Sequence, residues 1–151
     1  MKNSRLTVAI HILSVLRYFE EYSPGRLVKS HEIAVSVNTS PVVIRRILGA
    51  LRDAGMVEIK GGASGGASLA RSAEDISLCD VYQVMEDEDI FAMHANTPST
   101  VCPIGSNIKP VLSDFYNRLA GTIGNELKQV NINDLYKKMT SEFAADRQEV
   151  Q

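Results

Sequence analysis

The segment NTSPVVIRRILGALRDAGMVEIKGGASGGASLA, residues 38–70, constrains the fold more than any other part of the chain. Ser40 offers a capping hydroxyl, and Pro41 fills a first helical position where its missing N–H costs nothing. Ile44, Ile47, Leu48 and Leu51 then recur at helical spacing, and Gly55 is the expected stop. Upstream, Ser30 can cap a short helix through Ala34 to Val37, with Asn38-Thr39 as a turn. Two short helices about three residues apart, the second cleanly capped, make a helix-turn-helix. VEIK at 57–60 alternates like a strand, GGASGG turns, and ASLA returns. A β-hairpin directly after a helix-turn-helix is a wing.

The four glycines at 61, 62, 65 and 66 raise a competing reading, a loop that cradles a nucleotide phosphate. A Walker loop ends in Gly-Lys-Ser/Thr and leads from a strand into a helix. A dinucleotide loop needs the same strand-to-helix context. Here a strand follows and no such lysine is present. The glycines are therefore expected to let a hairpin tip turn sharply and approach DNA.

Around this unit the chain reads as mainly helical. Leu6, Ala9, Ile10, Leu13 and Leu16 place a helix over 4–20, ending before Pro24-Gly25. LTVAIHILSVL is too short to span a bilayer, is interrupted by His11 and leads into no small-residue cleavage site, so a cytoplasmic protein is expected. Ser77 can cap a helix with Asp80 as a capping-box partner, and EDED at 86–89 reads as its solvated end. Residues 92–108 read as a loop. From Pro110 a long helix carries Leu112, Phe115, Leu119, Ile123, Leu127 and Val130 at steps of three and four, a stripe that calls for a partner, either the chain's own domain or, as favoured for a small DNA-binding chain, a second copy. A short helix over 133–139 capped by Asn133 and a flexible tail over 140–151 complete the expectation.

Charge is divided along the chain. Residues 1–72 hold ten Lys or Arg against five acids, and residues 73–151 hold six against thirteen. The basic half is the footprint of a polyanion-binding module, and the acidic half argues against a chain that merely coats nucleic acid. Two cysteines, Cys79 and Cys102, fit neither a disulfide framework nor paired zinc spacing. No nucleophile has an ordered catalytic partner, so no enzyme is expected.

The run SPVVIRRILGALRDAGMVEIKGGASGGASLARSAEDISLCDVYQVME resembles the Rrf-two family of bacterial winged-helix regulators. The matching elements are a serine opening the recognition helix, a Leu-x-x-Ala-Gly helix end, a glycine-rich wing and the downstream pattern Ile76-Ser77-Leu78, Val84 and Glu86. SRLTVAIHIL and the long helix also sit where the family has them, and NTSPVV and CPIG are similar to its YwnA-like branch. The resemblance implies a winged helix-turn-helix over 1–75, a linking helix and sensor loop over 76–110, and a dimerisation helix with a C-terminal helix over 111–139. It also implies a homodimeric repressor that reads a two-fold-symmetric site in double-stranded DNA.

Within that resemblance Ser40, Pro41, Val42, Val43, Arg45 and Arg46 stand at the DNA surface. Lys60, Gly61, Gly62 and Ser64 of the wing, with Ser4 and Arg5 at the chain start, add backbone or groove contacts. The iron–sulfur members of the family carry three cysteines before the long helix, whereas this chain has Cys102 there, with His94 nearby. One loop thiol is too few for a cluster, so no cofactor is expected in a monomer, although Cys102 and His94 from two copies remain an alternative. Cys102, with His94, is the expected sensor of an oxidant, and a small-molecule signal stays open. Cys79 is expected to be structural. A winged helix that binds protein instead of DNA is the rival class.

Overall fold

The computed structural model describes residues 4–149 and consists of six helices and one two-stranded antiparallel sheet among the described residues. The elements are α1 (Arg5–Tyr22), α2 (Ser30–Val37), α3 (Pro41–Asp53), β1 (Val57–Lys60), β2 (Gly66–Leu69), α4 (Leu78–Met85), α5 (Pro103–Lys128) and α6 (Ile132–Glu149). A 3₁₀ turn over Ala73–Asp75 leads into α4.

The helix-turn-helix forms for the local reasons its residues suggest. The Ser40 hydroxyl accepts from the Val43 N–H at 3.4 Å, and Pro41 is the first residue of α3. Ile44, Ile47, Leu48 and Leu51 are all buried. At the other end Gly55 adopts φ 74°, its N–H reaches the Arg52 carbonyl, and the Met56 N–H reaches that of Leu51. This pair of bonds satisfies carbonyls that the helix end would otherwise orphan, and it requires a left-handed residue at Gly55. The cap of α2 differs from expectation. Lys29 is the capping position and Ser30 is already helical, because Glu32 reaches back to accept from the Lys29 N–H at 2.9 Å.

The wing is tied down on both sides. Val57 pairs with Leu69 and Lys60 with Gly66, while Ala67 also exchanges two backbone bonds with Val28 in an isolated antiparallel bridge. A Cβ on Gly65 would lie 2.1 Å from the Lys60 carbonyl oxygen, so that glycine serves close backbone packing at the hairpin neck.

α1 lies at the centre, in contact with α2, α3, α4, α6 and β2. Ile12, Leu13 and Leu16 of α1 join Ile33, Ile44, Leu51, Val57, Ile76, Val81, Met85 and Ile132 in one buried cluster. Position 75 does not interrupt this core. Each such side chain contributes roughly 1.5–3 kcal/mol by leaving water.

The capping box of α4 closes fully: the Asp80 N–H donates to Ser77 and the Ser77 N–H donates to Asp80, both at 3.0 Å. Replacing Ser77 with Ala is expected to cost about 1 kcal/mol. A matching fall in the midpoint of urea unfolding, with an unchanged slope, is the check.

The C-terminal half departs from the sequence reading in three places. α5 begins at Pro103, earlier than the expected start at Pro110, with Cys102 as its cap residue. The turn-forming residues there work as helix starters, since Ser106 and Asn107 both donate to the Pro103 carbonyl. Pro110 sits inside the helix. Second, Asn131, not Asn133, caps α6, exchanging bonds with Asp134 at 2.8 and 3.0 Å. Asn133 is buried instead, accepting from Arg17 of α1 and donating to Glu74. Third, α6 runs on to Glu149, through residues read as a tail; 150 and 151 lie outside the described residues.

Tyr136 of α6 donates its hydroxyl to Glu21 and lies under the Arg17 guanidinium, 4.8 Å from the ring centroid. Burial, and then the bond to Glu21, push its phenol well above the usual tyrosine range. α6 is thereby fastened to α1 and the N-terminal half. α5 alone buries no residue in this chain.

Candidate nucleic-acid interface

α3 turns one face inward and leaves its N-terminal turns open. Val42 is 57% exposed and Val43 37%, unusual for β-branched aliphatics at the start of a helix whose isoleucines and leucines are all buried. Ser40, Arg45 and Arg46 are exposed, and Pro41 is half-buried. The two arginines project about 100° apart. Arg45 turns toward α2 and donates to the Ser30 hydroxyl at 3.5 Å. In the wing Lys60, Gly61, Gly62 and Ser64 are all exposed.

Arg45, Lys60, Gly61 and Gly62 come together around one groove of about 460 Å³ between the start of α2, α3 and the wing. Lys29, Ser30, His31 and Arg52 line it too. The sequence reading did not single out Lys29, His31 or Arg52. A signal for Arg52 exists, because Arg45, Leu48, Gly49 and Arg52 fall at i, i+3, i+4 and i+7 on one helical face. Lys29 also spans the groove, donating its ammonium to the Ala63 carbonyl at the wing tip.

The chain start is engaged differently. Ser4 is exposed at the beginning of α1 and makes no side-chain cap bond. Arg5 forms an ion pair with Asp87 at 3.2 Å, so the basic N-terminus touches the acidic run at 86–89. A phosphate contact from Arg5 would compete with Asp87.

The two cysteines occupy unlike places. Cys79 is buried on α4, and Cys102 is exposed at the start of α5. The amide groups of Gly105 and then Ile104 face the Cys102 sulfur and hold its thiol below the ordinary cysteine range, against a small opposing effect of desolvation. His94 is exposed in the preceding loop. Among the described residues no three His, Cys, Asp or Glu side chains gather into a set that could hold a metal ion.

Along α5, Leu112, Leu119, Ile123, Leu127 and the following Val130 are half-exposed, and Phe115 is 46% exposed. Ile104 and Val111, at 71% and 66%, extend the same apolar seam toward Cys102. Phe91 stacks on Tyr116 at 4.8 Å, holding the loop before α5 against the helix. No helix of the described residues is long and apolar enough to cross a membrane.

Comparison with known proteins gives this geometry its relatives. The sequence profile of the Rrf2 (Rrf-two) family, described as iron-dependent transcriptional regulators, matches residues 2–138. YwnA of Bacillus subtilis (strain 168) is 40% identical over 136 residues, covering 89% of this chain and 96% of YwnA. The HTH-type transcriptional regulator IscR of Cereibacter sphaeroides is 28% identical over 115 residues, covering 76% of this chain and 74% of its own length. The structure of T. potens IscR superposes with a TM-score of 0.68 at 20% identity, over 92% of this chain and 88% of that one, a likeness of fold.

Proposed function

The chain belongs to the Rrf2 family of DNA-binding transcriptional regulators, which are not enzymes, and from that premise we propose that it is a cytoplasmic homodimeric repressor of a two-fold-symmetric operator. The observation that carries the reading is the exposed N-terminal face of α3, where Arg45 stands across one groove from Lys60 of the wing. Residues at that end of a recognition helix meet base edges in the major groove, while flanking cations meet phosphates. Arg45 and Arg46 supply one contact of each kind, and Val42 or Val43 packs on a thymine methyl. Lys60, Gly61, Gly62 and Ser64 follow the adjacent backbone, joined by Ser4 and by Arg5 when it releases Asp87.

Two copies pair through α5, which presents both recognition helices to successive turns of the duplex. The signal acts at the start of that same helix. Oxidation or modification of Cys102, with His94 in the adjoining loop, changes the cap of α5 and hence the geometry of the pair. No resident iron–sulfur cluster enters this reading, because its ligation needs more thiolates than one exposed Cys102 provides.

The test is a genomic-fragment binding selection with the purified protein, run in reductant and after mild oxidant. The expected result is a two-fold-symmetric site enriched in reductant and lost after oxidation. Enrichment equal in both states removes Cys102 as the sensor and moves the signal to a small molecule. No enriched site in either state replaces the reading with a protein-binding winged helix.

A further inference from the structure

We propose that the groove between the start of α2, one face of α3 and the wing seats phosphate groups of the DNA backbone, with Arg52 and Lys29 as backbone contacts. This rests on the DNA-binding reading above and extends the interface beyond the tip of the recognition helix. Three observations converge on it. The groove is lined by Lys29, His31, Arg45, Arg52 and Lys60, and no carboxylate lines it among the described residues. Ser30 and His31 open α2, so their backbone N–H groups fall in the first turn, where a helix offers no acceptor of its own. The wing side of the groove is largely glycine, which lets a strand of backbone come close.

Three apolar members of the lining, Val28, Leu48 and Ala67, are buried beneath the groove, Ile59 stands exposed at its edge, and Lys29, Arg45, Arg52 and Lys60 stand around the opening. Cations with no carboxylate among the described lining residues favour an anion. A polyanion neutralises that set, and the strand that meets Arg45 passes this groove on its way to the wing.

Arg52 is the cleanest probe. Its side chain is 54% exposed and pairs with its neighbour Asp53 at 3.0 Å, so Arg52→Gln leaves the core intact. Binding of the full-length protein is measured by fluorescence anisotropy across a salt series, on its selected site and on a scrambled fragment. Lys138→Gln, on α6, is the control. The expected result is a severalfold weakening by Arg52→Gln, equal on both fragments, with the salt slope falling by about one. Lys29→Gln does the same, and circular dichroism shows both variants folded.

Affinity and slope unchanged in both variants, while Arg45→Ala or Arg46→Ala weakens binding, would overturn the groove assignment and leave the DNA reading standing. A loss confined to the selected site would make Arg52 a base contact and overturn it as well. Calorimetric titration with sodium pyrophosphate at fixed ionic strength separates the remaining source of phosphate. Saturable binding abolished by Arg52→Gln, with DNA affinity untouched, would assign the groove to a free phosphate-bearing molecule instead. A wild-type protein that binds neither fragment would end both proposals.

Discussion

Arg46→Ala and Arg45→Ala are each expected to weaken binding to the proposed operator by about 1–3 kcal/mol, roughly fivefold to more than a hundredfold. The magnitude follows from what a guanidinium does at an interface. It is fully charged at any working pH, presents a rigid fork of donors, and loses all of its bonds on truncation to a methyl group. The two variants differ in kind. The one that reads a base loses discrimination at one position and leaves binding to scrambled DNA nearly unchanged. The one that holds a phosphate weakens all sequences alike and lowers the salt slope by about one. Arg45 already turns toward Ser30 and the groove, whereas Arg46 is exposed outside it. Neither side chain is part of the buried cluster, so the thermal midpoint should not move. Unchanged affinity in both single variants would remove α3 from the interface.

The DNA-binding half is legible because its signals are local. Ser40, Pro41 and Gly55 each act within four residues of themselves, and the structure uses each where spacing places it. The capping box of α4 is legible for the same reason. What escaped the sequence is of two kinds, a local bond that outcompetes the obvious cap or turn, and a partner far along the chain. Ser30 looks as good a cap as Ser40, but Glu32 bonds the Lys29 N–H and moves the helix start by one residue. Pro103, Gly105, Ser106 and Asn107 have the composition of a loop, yet a proline at a first helical position and two donors to its carbonyl start α5 there. Asn133 looks like a cap because nothing local reveals Arg17 and Glu74 across the fold. The groove was half-visible. Arg45 and Lys60 drew notice as DNA contacts, but their meeting with Lys29 and Arg52 is a property of three elements packing together.

Leu119→Glu is expected to turn the proposed dimer into a monomer without unfolding the chain. α5 has 26 residues, a rod of about 39 Å at 1.5 Å per residue, and it buries none of them in its own chain. Its apolar positions from Leu112 to Leu127 follow the three-and-four spacing of a helix that packs on another helix, while Val130 lies just past its end. A monomer would leave that seam in water, and a second copy is the partner that carries the same seam. Placing Glu at 119 removes one leucine from each side of the interface, roughly 1.5–3 kcal/mol per copy. It also brings two like charges into an apolar contact, at a further cost of several kcal/mol. The sum exceeds about 5 kcal/mol, enough to raise the dimer dissociation constant more than a thousandfold. The fold itself is spared, because the core formed by α1–α4 and α6 does not include Leu119. Sedimentation velocity should therefore show a monomer with an unchanged circular dichroism spectrum, and affinity for the two-fold site should fall toward that for a half-site. A variant that stays dimeric at micromolar concentration would move the interface off α5, and the link from Cys102 to the paired helices would fall with it.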